Sequence, residues 1–297
     1  MKLFHLFGKM KDLEIAEIRT KEEFEKAVDL LEPNEIRLMN QVRDACKEKK
    51  DSVCIYEGYC VACGKKSSFS ISMLYSDGNT PNYREHFVCS RCGLNNRQRM
   101  LFDRLLFYVK NGLTKVYMYE MVTHFYQVFS RISGVELVGS EYLGIDIEKG
   151  SFVNGIRHED SCSLSFSDGS FDVIVSQDVY EHVPDMKATL HEAFRVLRVG
   201  GVLLATFPFH SGMVKTIKRA SIDGNGELIH HEKPEYHGNP VDAESGSLVF
   251  WDFGWDIMDM FSEAGFEDVR IMMCHGMKTL NIGKALYFFE AKKSKIG

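Results

Sequence analysis

Two apolar runs, Phe171–Ser176 and Val202–Phe207, lie on either side of an amphipathic helix, and this ordering constrains the fold more than any other feature of the chain. The helix follows Pro184 and carries Met186, Leu190, Ala193, Phe194 and Leu197 on one side, after which Gly200-Gly201 leads into the second run. Strands joined through a helix pair in parallel, and the helices then cover the faces of the sheet. The same alternation extends both ways. Val116–Met121 reads as strand, Tyr126–Ile132 as helix and Val135–Gly139 as strand. Near the end, Trp255–Ala264 reads as a helix stopped by Gly265, followed by strands Val269–Cys274 and Ala285–Ala291. The expectation is an α/β fold with a doubly wound parallel sheet over residues 113–297.

The part before it has a different texture. Residues 21–50 read as helix, with Phe24, Val28 and Leu31 on one face, a break at Pro33, and Asn34 capping a second helix that carries Ile36, Met39 and Val42. Residues 1–53 are therefore expected to form a helical N-terminal arm. From 54 to 93 come turns, aromatics and cysteines, then a helix from Asn95 to about Lys110, giving a small module over 54–112.

That module holds two C-x-x-C-G knuckles, Cys60-Val61-Ala62-Cys63-Gly64 and Cys89-Ser90-Arg91-Cys92-Gly93. Two thiolates at this spacing, with a glycine allowing the tight turn, make half of a tetrahedral zinc site, and two knuckles complete it. Cys60, Cys63, Cys89 and Cys92 are the expected ligands of a zinc-ribbon module. Four thiolates leave no open position, so the ion is structural. Cys46, Cys54, Cys162 and Cys274 are read as plain thiols.

Composition narrows the function classes. The chain has 297 residues, 44% hydrophobic and 26% charged, with a net charge of -6, which is ordinary globular composition. No apolar run is long enough to span a bilayer, and the start has too short an apolar stretch for a secretory signal, so a cytoplasmic protein is expected. Lys65, Lys66, Arg84, Arg91, Arg97 and Arg99 make the cysteine module locally basic, but the acidic remainder argues against nucleic acid as a partner.

The stretch from His158-Glu159-Asp160 through Leu164-Ser165-Phe166-Ser167-Asp168-Gly169-Ser170-Phe171-Asp172 to Glu181-His182-Val183, with Arg195-Val196-Leu197-Arg198-Val199-Gly200-Gly201, resembles the class I S-adenosylmethionine-dependent methyltransferases. The resemblance covers about residues 113–210. It implies a Rossmann-like methyltransferase sheet that binds S-adenosylmethionine beyond the carboxyl ends of its strands. It further implies Asp160 as the adenine contact, Gln177 and Asp178 beside the methyl group, and a ribose-binding carboxylate at the end of strand two, either Glu141 or Asp146. The family's Gly-x-Gly-x-Gly loop after strand one is replaced, its glycine positions holding Glu120, Val122 and His124, with Met118 in place of the usual strand-one acid. The loop is either rebuilt, with Glu120 reaching the cofactor's amino group, or lost. In both respects the chain is similar to a subgroup with an N-terminal zinc ribbon and a degenerate glycine loop.

Between strand five and the last helix lies a polar segment with Phe209-His210, His230-His231-Glu232, Tyr236-His237-Gly238 and both tryptophans, Trp251 and Trp255. Its position over the crevice makes it the acceptor side. A hydroxyl or protonated amine acceptor needs a base, and the candidates are His237, His210 and His182. The expected activity is methyl transfer to a small-molecule or saccharide acceptor. The alternatives are a non-catalytic methyltransferase-like interaction module and an RNA-modifying methyltransferase.

Overall fold

A computed structural model describes residues 13–29, 33–49, 53–74, 76–242, 244–283 and 286–294. The first twelve residues, Leu31 and Ala285, where readings were made from the sequence, lie outside the described residues. No described helix is long and apolar enough to cross a membrane. The chain divides into two compact units, residues 1–107 with 271–288, and 108–270 with 289–297.

In the first unit a strand, Glu14–Ile18, pairs antiparallel with residues 271–275, from Glu14 opposite His275 to Ile18 opposite Ile271. The sequence reading has only helix in this arm. The five residues Glu-Ile-Ala-Glu-Ile are too short to stand out as a pattern. Helices follow at Lys21–Asp29 and Pro33–Lys49. Pro33 opens the second helix, where its missing N–H costs nothing, and Asn34 falls within the first turn instead of capping it.

A hairpin of Cys54–Cys60 and Lys65–Ile71 is extended by Val88–Cys89. Its buried face, Cys54, Phe69 and Ile71, packs with Met39, Val42 and Cys46 of the helix and with Leu280 and Ile282. Each such side chain contributes roughly 1.5–3 kcal/mol when removed from water. The guanidinium of Arg99, in the helix Asn96–Lys110, is fully buried. It donates to the carbonyls of Thr279 at 2.7 Å and Leu280 at 3.2 Å, and lies 4.5 Å above the Phe69 ring.

The second unit is built on β1 (Lys115–Met118), α1 (His124–Phe129), β2 (Glu136–Gly139), β3 (Phe171–Gln177), α2 (Met186–Val196), β4 (Leu197–Thr206) and α3 (Ile257–Glu263). Two last strands, β5 (Asp268–His275) and β6 (Tyr287–Lys292), contribute residues to both units. The order across the sheet is β6-β4-β3-β1-β2, parallel from β4 to β2, with β6 antiparallel to β4. This is the doubly wound α/β arrangement expected from the alternation of elements. All seven residues of β3 are buried, as its apolar run requires of a central strand. In place of a full strand beside β2 there is a single parallel bridge between Glu141 and His158.

Local chemistry sets the element ends. Asp185 caps α2 by accepting the Ala188 N–H at 3.0 Å, worth about 1 kcal/mol. Asp172 accepts the N–H groups of Thr114 and Lys115 at 2.8 and 2.9 Å, anchoring the start of β1 beside β3. Arg195 fastens the loop before β3, reaching the carbonyls of Phe166 at 2.7 Å and Leu164 at 3.0 Å. Gly139 ends β2 where a Cβ would stand 2.4 Å from Tyr126 Cε2 and 2.6 Å from Met121 Cβ.

Candidate functional site

The carboxyl ends of β1, β2 and β3 bring four of the predicted cofactor residues into one set of loops. Tyr119 extends β1 by donating its N–H to Val175 at 3.2 Å. Glu120 comes next, almost fully buried, and its carboxylate accepts the backbone N–H of Gln177. The turn is held without glycine. Thr123 caps α1 by accepting the Tyr126 N–H, and the Val122 N–H donates to Glu141 Oε1 at 2.9 Å. The glycine positions are therefore filled by side chains, and one of the loop amides is already spent on a carboxylate.

Glu141 stands two residues past β2, and burial pushes its carboxyl up to about 7 against the pull of the Val122 and Met121 amides. Asp146, the other register, is exposed in a turn. Asp160 is half-buried, with Oδ1 accepting the Cys162 N–H at 2.8 Å. Asp178, just beyond β3, has a φ of 54°, a left-handed conformation that a non-glycine residue adopts at a cost of order 1 kcal/mol. Strain of that kind concentrates at functional sites. Two carboxyl groups, Glu141 and Asp160, and the polar pair Gln177 and Asp178 at the end of β3 supply the acceptors that the hydroxyl and amino groups of a nucleoside cofactor such as S-adenosylmethionine need.

Past Asp178, the turn Tyr180–His182 and a short strand, Tyr236–His237, bring together two of the three predicted bases. The rings of His182 and His237 meet edge to face with centroids 5.1 Å apart. Between them lies Glu181, fully buried, its Oε1 3.6 Å from His182 Nε2 and 3.7 Å from His237 Nδ1. His237 Nε2 lies 3.4 Å from Glu235, and its pKa is raised by Glu181 first and Glu235 after it. His210 lies outside this cluster, half-exposed, 3.9 Å from Asp252. Glu181 and Glu235 are absent from the residues singled out by sequence. Glu181 stands in the Glu181-His182-Val183 run that carries the family resemblance, and that run is the signal from which it could have been picked out. The tryptophans have their indole N–H groups committed, Trp251 to Val183 O at 2.7 Å and Trp255 to Ser211 O at 2.8 Å.

In the first unit the four knuckle cysteines converge, all sulfurs within 4.8 Å of one another. Cys60 and Cys92 are 3.6 Å apart, and Cys63 and Cys89 3.9 Å. Gly64 and Gly93 take φ of 65° and 70° and close each turn, donating to the carbonyls of Cys60 and Cys89 at 2.8 Å. The Arg91 N–H points at Cys89 Sγ from 3.4 Å. This donor set fits a closed tetrahedral ion. Of the basic residues nearby, Arg99 is buried, Arg84 and Arg97 pair with Glu85, and Lys65, Lys66 and Arg91 are exposed.

Several known proteins share part of this sequence. The arsenite methyltransferase of Aquipseudomonas alcaligenes is 44% identical over 70 residues, 22% of this chain and 20% of that protein. The demethylmenaquinone methyltransferase of Staphylococcus haemolyticus is 27% identical over 150 residues, 48% of this chain and 61% of that protein. The chain thus spans less than two thirds of these relatives' length. Among solved structures, an S-adenosylmethionine-dependent methyltransferase from Mesorhizobium loti is 15% identical, covering 61% of this chain and 90% of its own at a TM-score of 0.35. Residues 120–205, which hold Glu120, Glu141, Asp160, Gln177, Asp178, Glu181 and His182, match the model of the methyltransferase domain family.

Proposed function

We propose that the chain is a cytoplasmic S-adenosylmethionine-dependent methyltransferase acting on a small-molecule or glycan-precursor acceptor, with a structural zinc ion held by Cys60, Cys63, Cys89 and Cys92. The observation that carries this reading is that Glu141, Gln177 and Asp178 stand at the carboxyl ends of parallel strands and Asp160 two residues past the His158 bridge, all within the stretch that matches the methyltransferase domain family.

When bound, the cofactor supplies an electrophilic methyl group on a sulfonium. The chain's own part is positioning, which accounts for much of the acceleration of an in-line displacement. Glu141 would accept from the ribose hydroxyls and Asp160 from the adenine amino group, while Gln177 and Asp178 border the methyl position. Glu120, spent on the Gln177 amide, fixes the separation of β1 and β3 beneath them. Glu181 and His182, just past β3, with His237 from the strand Tyr236–His237, would orient and activate the acceptor's nucleophile.

Calorimetric titration of the purified protein with S-adenosylmethionine tests this. One binding site is expected, weakened at least tenfold by Asp160→Ala and by Glu141→Ala. A folded protein giving no heat at millimolar ligand overturns the reading. It would favour instead a methyltransferase-like interaction module, the reading motivated by Glu120, Val122 and His124 at the glycine positions.

A further inference from the structure

We infer that Glu181, His182 and His237 form a binding site for a divalent first-row transition-metal ion, in addition to the four cysteines. Three observations carry it.

First, Glu181 is fully buried, and neither carboxylate oxygen has a hydrogen-bond partner among the described residues. A buried carboxylate left in that state costs several kcal/mol unless a cation compensates it. The imidazoles at 3.6 and 3.7 Å are beyond hydrogen-bond reach and offset the charge by ion pairing alone.

Second, the ligand atoms converge. One oxygen of Glu181 and one nitrogen of each histidine all lie within 4.8 Å of one another. Tetrahedral bonds of about 2.0–2.1 Å place ligand atoms about 3.4 Å apart, so closing the site requires only small movements.

Third, the outer nitrogen of each ring faces an oxygen. His182 Nδ1 meets Leu248 O at 2.9 Å, and His237 Nε2 faces Glu235 at 3.4 Å. Glu235 is in turn held by Arg219 at 3.1 Å. Partners of this kind fix the tautomer and turn the remaining lone pair toward the ion.

Two imidazoles and one carboxylate suit zinc, iron or manganese, and the lack of an all-oxygen shell disfavours calcium and magnesium. His237 remains 35% exposed, which leaves a coordination position toward solvent. The role of the ion rests on the methyltransferase reading. It would ligate the acceptor's hydroxyl, whose proton passes to water. The freed oxygen lone pair then bonds the methyl carbon as the carbon–sulfur pair returns to sulfur.

The test is a cobalt(II) titration of the whole protein with its cysteines saturated by zinc, read by visible absorption and metal count. Thiolate-to-cobalt charge transfer reports separately on any exchange at the cysteines. Wild type is expected to bind one more cobalt than Glu181→Gln or His237→Ala, and Glu235→Gln to bind it 10- to 100-fold more weakly. Equal cobalt counts and affinities in wild type, Glu181→Gln and His237→Ala overturn the proposal. Glu181→Gln keeps the shape of the side chain and decides the matter alone if His237→Ala does not fold. No methyl donor is present, so failure here leaves the methyltransferase reading standing, and failure of S-adenosylmethionine to bind leaves the cobalt count standing.

Discussion

The backbone N–H of Val122 donates to Glu141 Oε1 at 2.9 Å, so the loop after β1 closes onto the carboxyl end of β2 through a side-chain carboxyl oxygen. Burial nonetheless outweighs that hydrogen bond and lifts the Glu141 carboxyl to about 7 from its ordinary 4.5. A folded-state pKa above the unfolded value favours the protonated form in the fold. The stability it contributes is full below about 4.5 and is lost as pH rises through about 7. The loss is at most on the order of 3 kcal/mol. Glu141→Gln should flatten this window and exceed wild type in stability at pH 8. Urea unfolding at pH 5, 7 and 8.5 measures it, and a pH-independent gap between the two proteins would sink the burial argument.

Asp178 holds a left-handed φ of 54° at the tip of β3. Glycine takes that conformation without a Cβ penalty, so Asp178→Gly should gain about 0.5–1 kcal/mol in stability. The same change removes a polar group from the expected methyl position and should weaken S-adenosylmethionine binding severalfold. Thermal unfolding and calorimetry on one preparation separate the effects. A variant less stable than wild type would show that the Asp178 side chain holds the loop.

Gly139 has no room for a side chain against Tyr126 and Met121. Gly139→Ala should cost about 1–3 kcal/mol by overpacking. Trimming the ring in Gly139→Ala/Tyr126→Ala should relieve part of that strain, leaving the clash with Met121. Additive losses in the double variant, measured by denaturant unfolding, would place the cost elsewhere.

Arg99 is desolvated, and the sulfurs of the four cysteines counteract the resulting downward pressure on its pKa. Arg99→Met removes donors from Thr279 O, Leu280 O and Asn96 Oδ1 and should cost about 2–4 kcal/mol. It also removes a positive charge that acts on the thiolates, so zinc affinity in competition with a chelator should fall about tenfold. Unchanged affinity in a destabilised variant would confine Arg99 to a structural role.

The sheet was legible because its strands carry the pattern that burial on two faces demands. Phe171–Gln177 shows it most plainly, and the helix after Pro184 shows its apolar side at helical spacing. The cysteine knuckles were legible because the two C-x-x-C-G turns repeat one spacing within the chain. What escaped notice lacks any local signature. Glu14–Ile18 is a strand only because residues 271–275 lie beside it. Glu235 matters only because Tyr236–His237 pairs with Ser247–Leu248 and brings the histidine to Glu181. His210 carries the same imidazole as His237, and its residue type alone does not reveal that it pairs with Asp252 instead.

The contacts of Arg99 with Thr279 and Leu280 span some 180 positions of the chain. On the ribosome, the hairpin and the knuckles emerge about 180 positions before the Thr279 and Leu280 carbonyls that this guanidinium needs. The β1-to-β4 region, complete by Thr206, can assemble long before. The first unit therefore cannot close its core before residues 271–288 are made, and a nascent chain stalled before residue 279 would leave the Arg99 guanidinium without two of its carbonyl acceptors and the Leu280 and Ile282 part of that core missing.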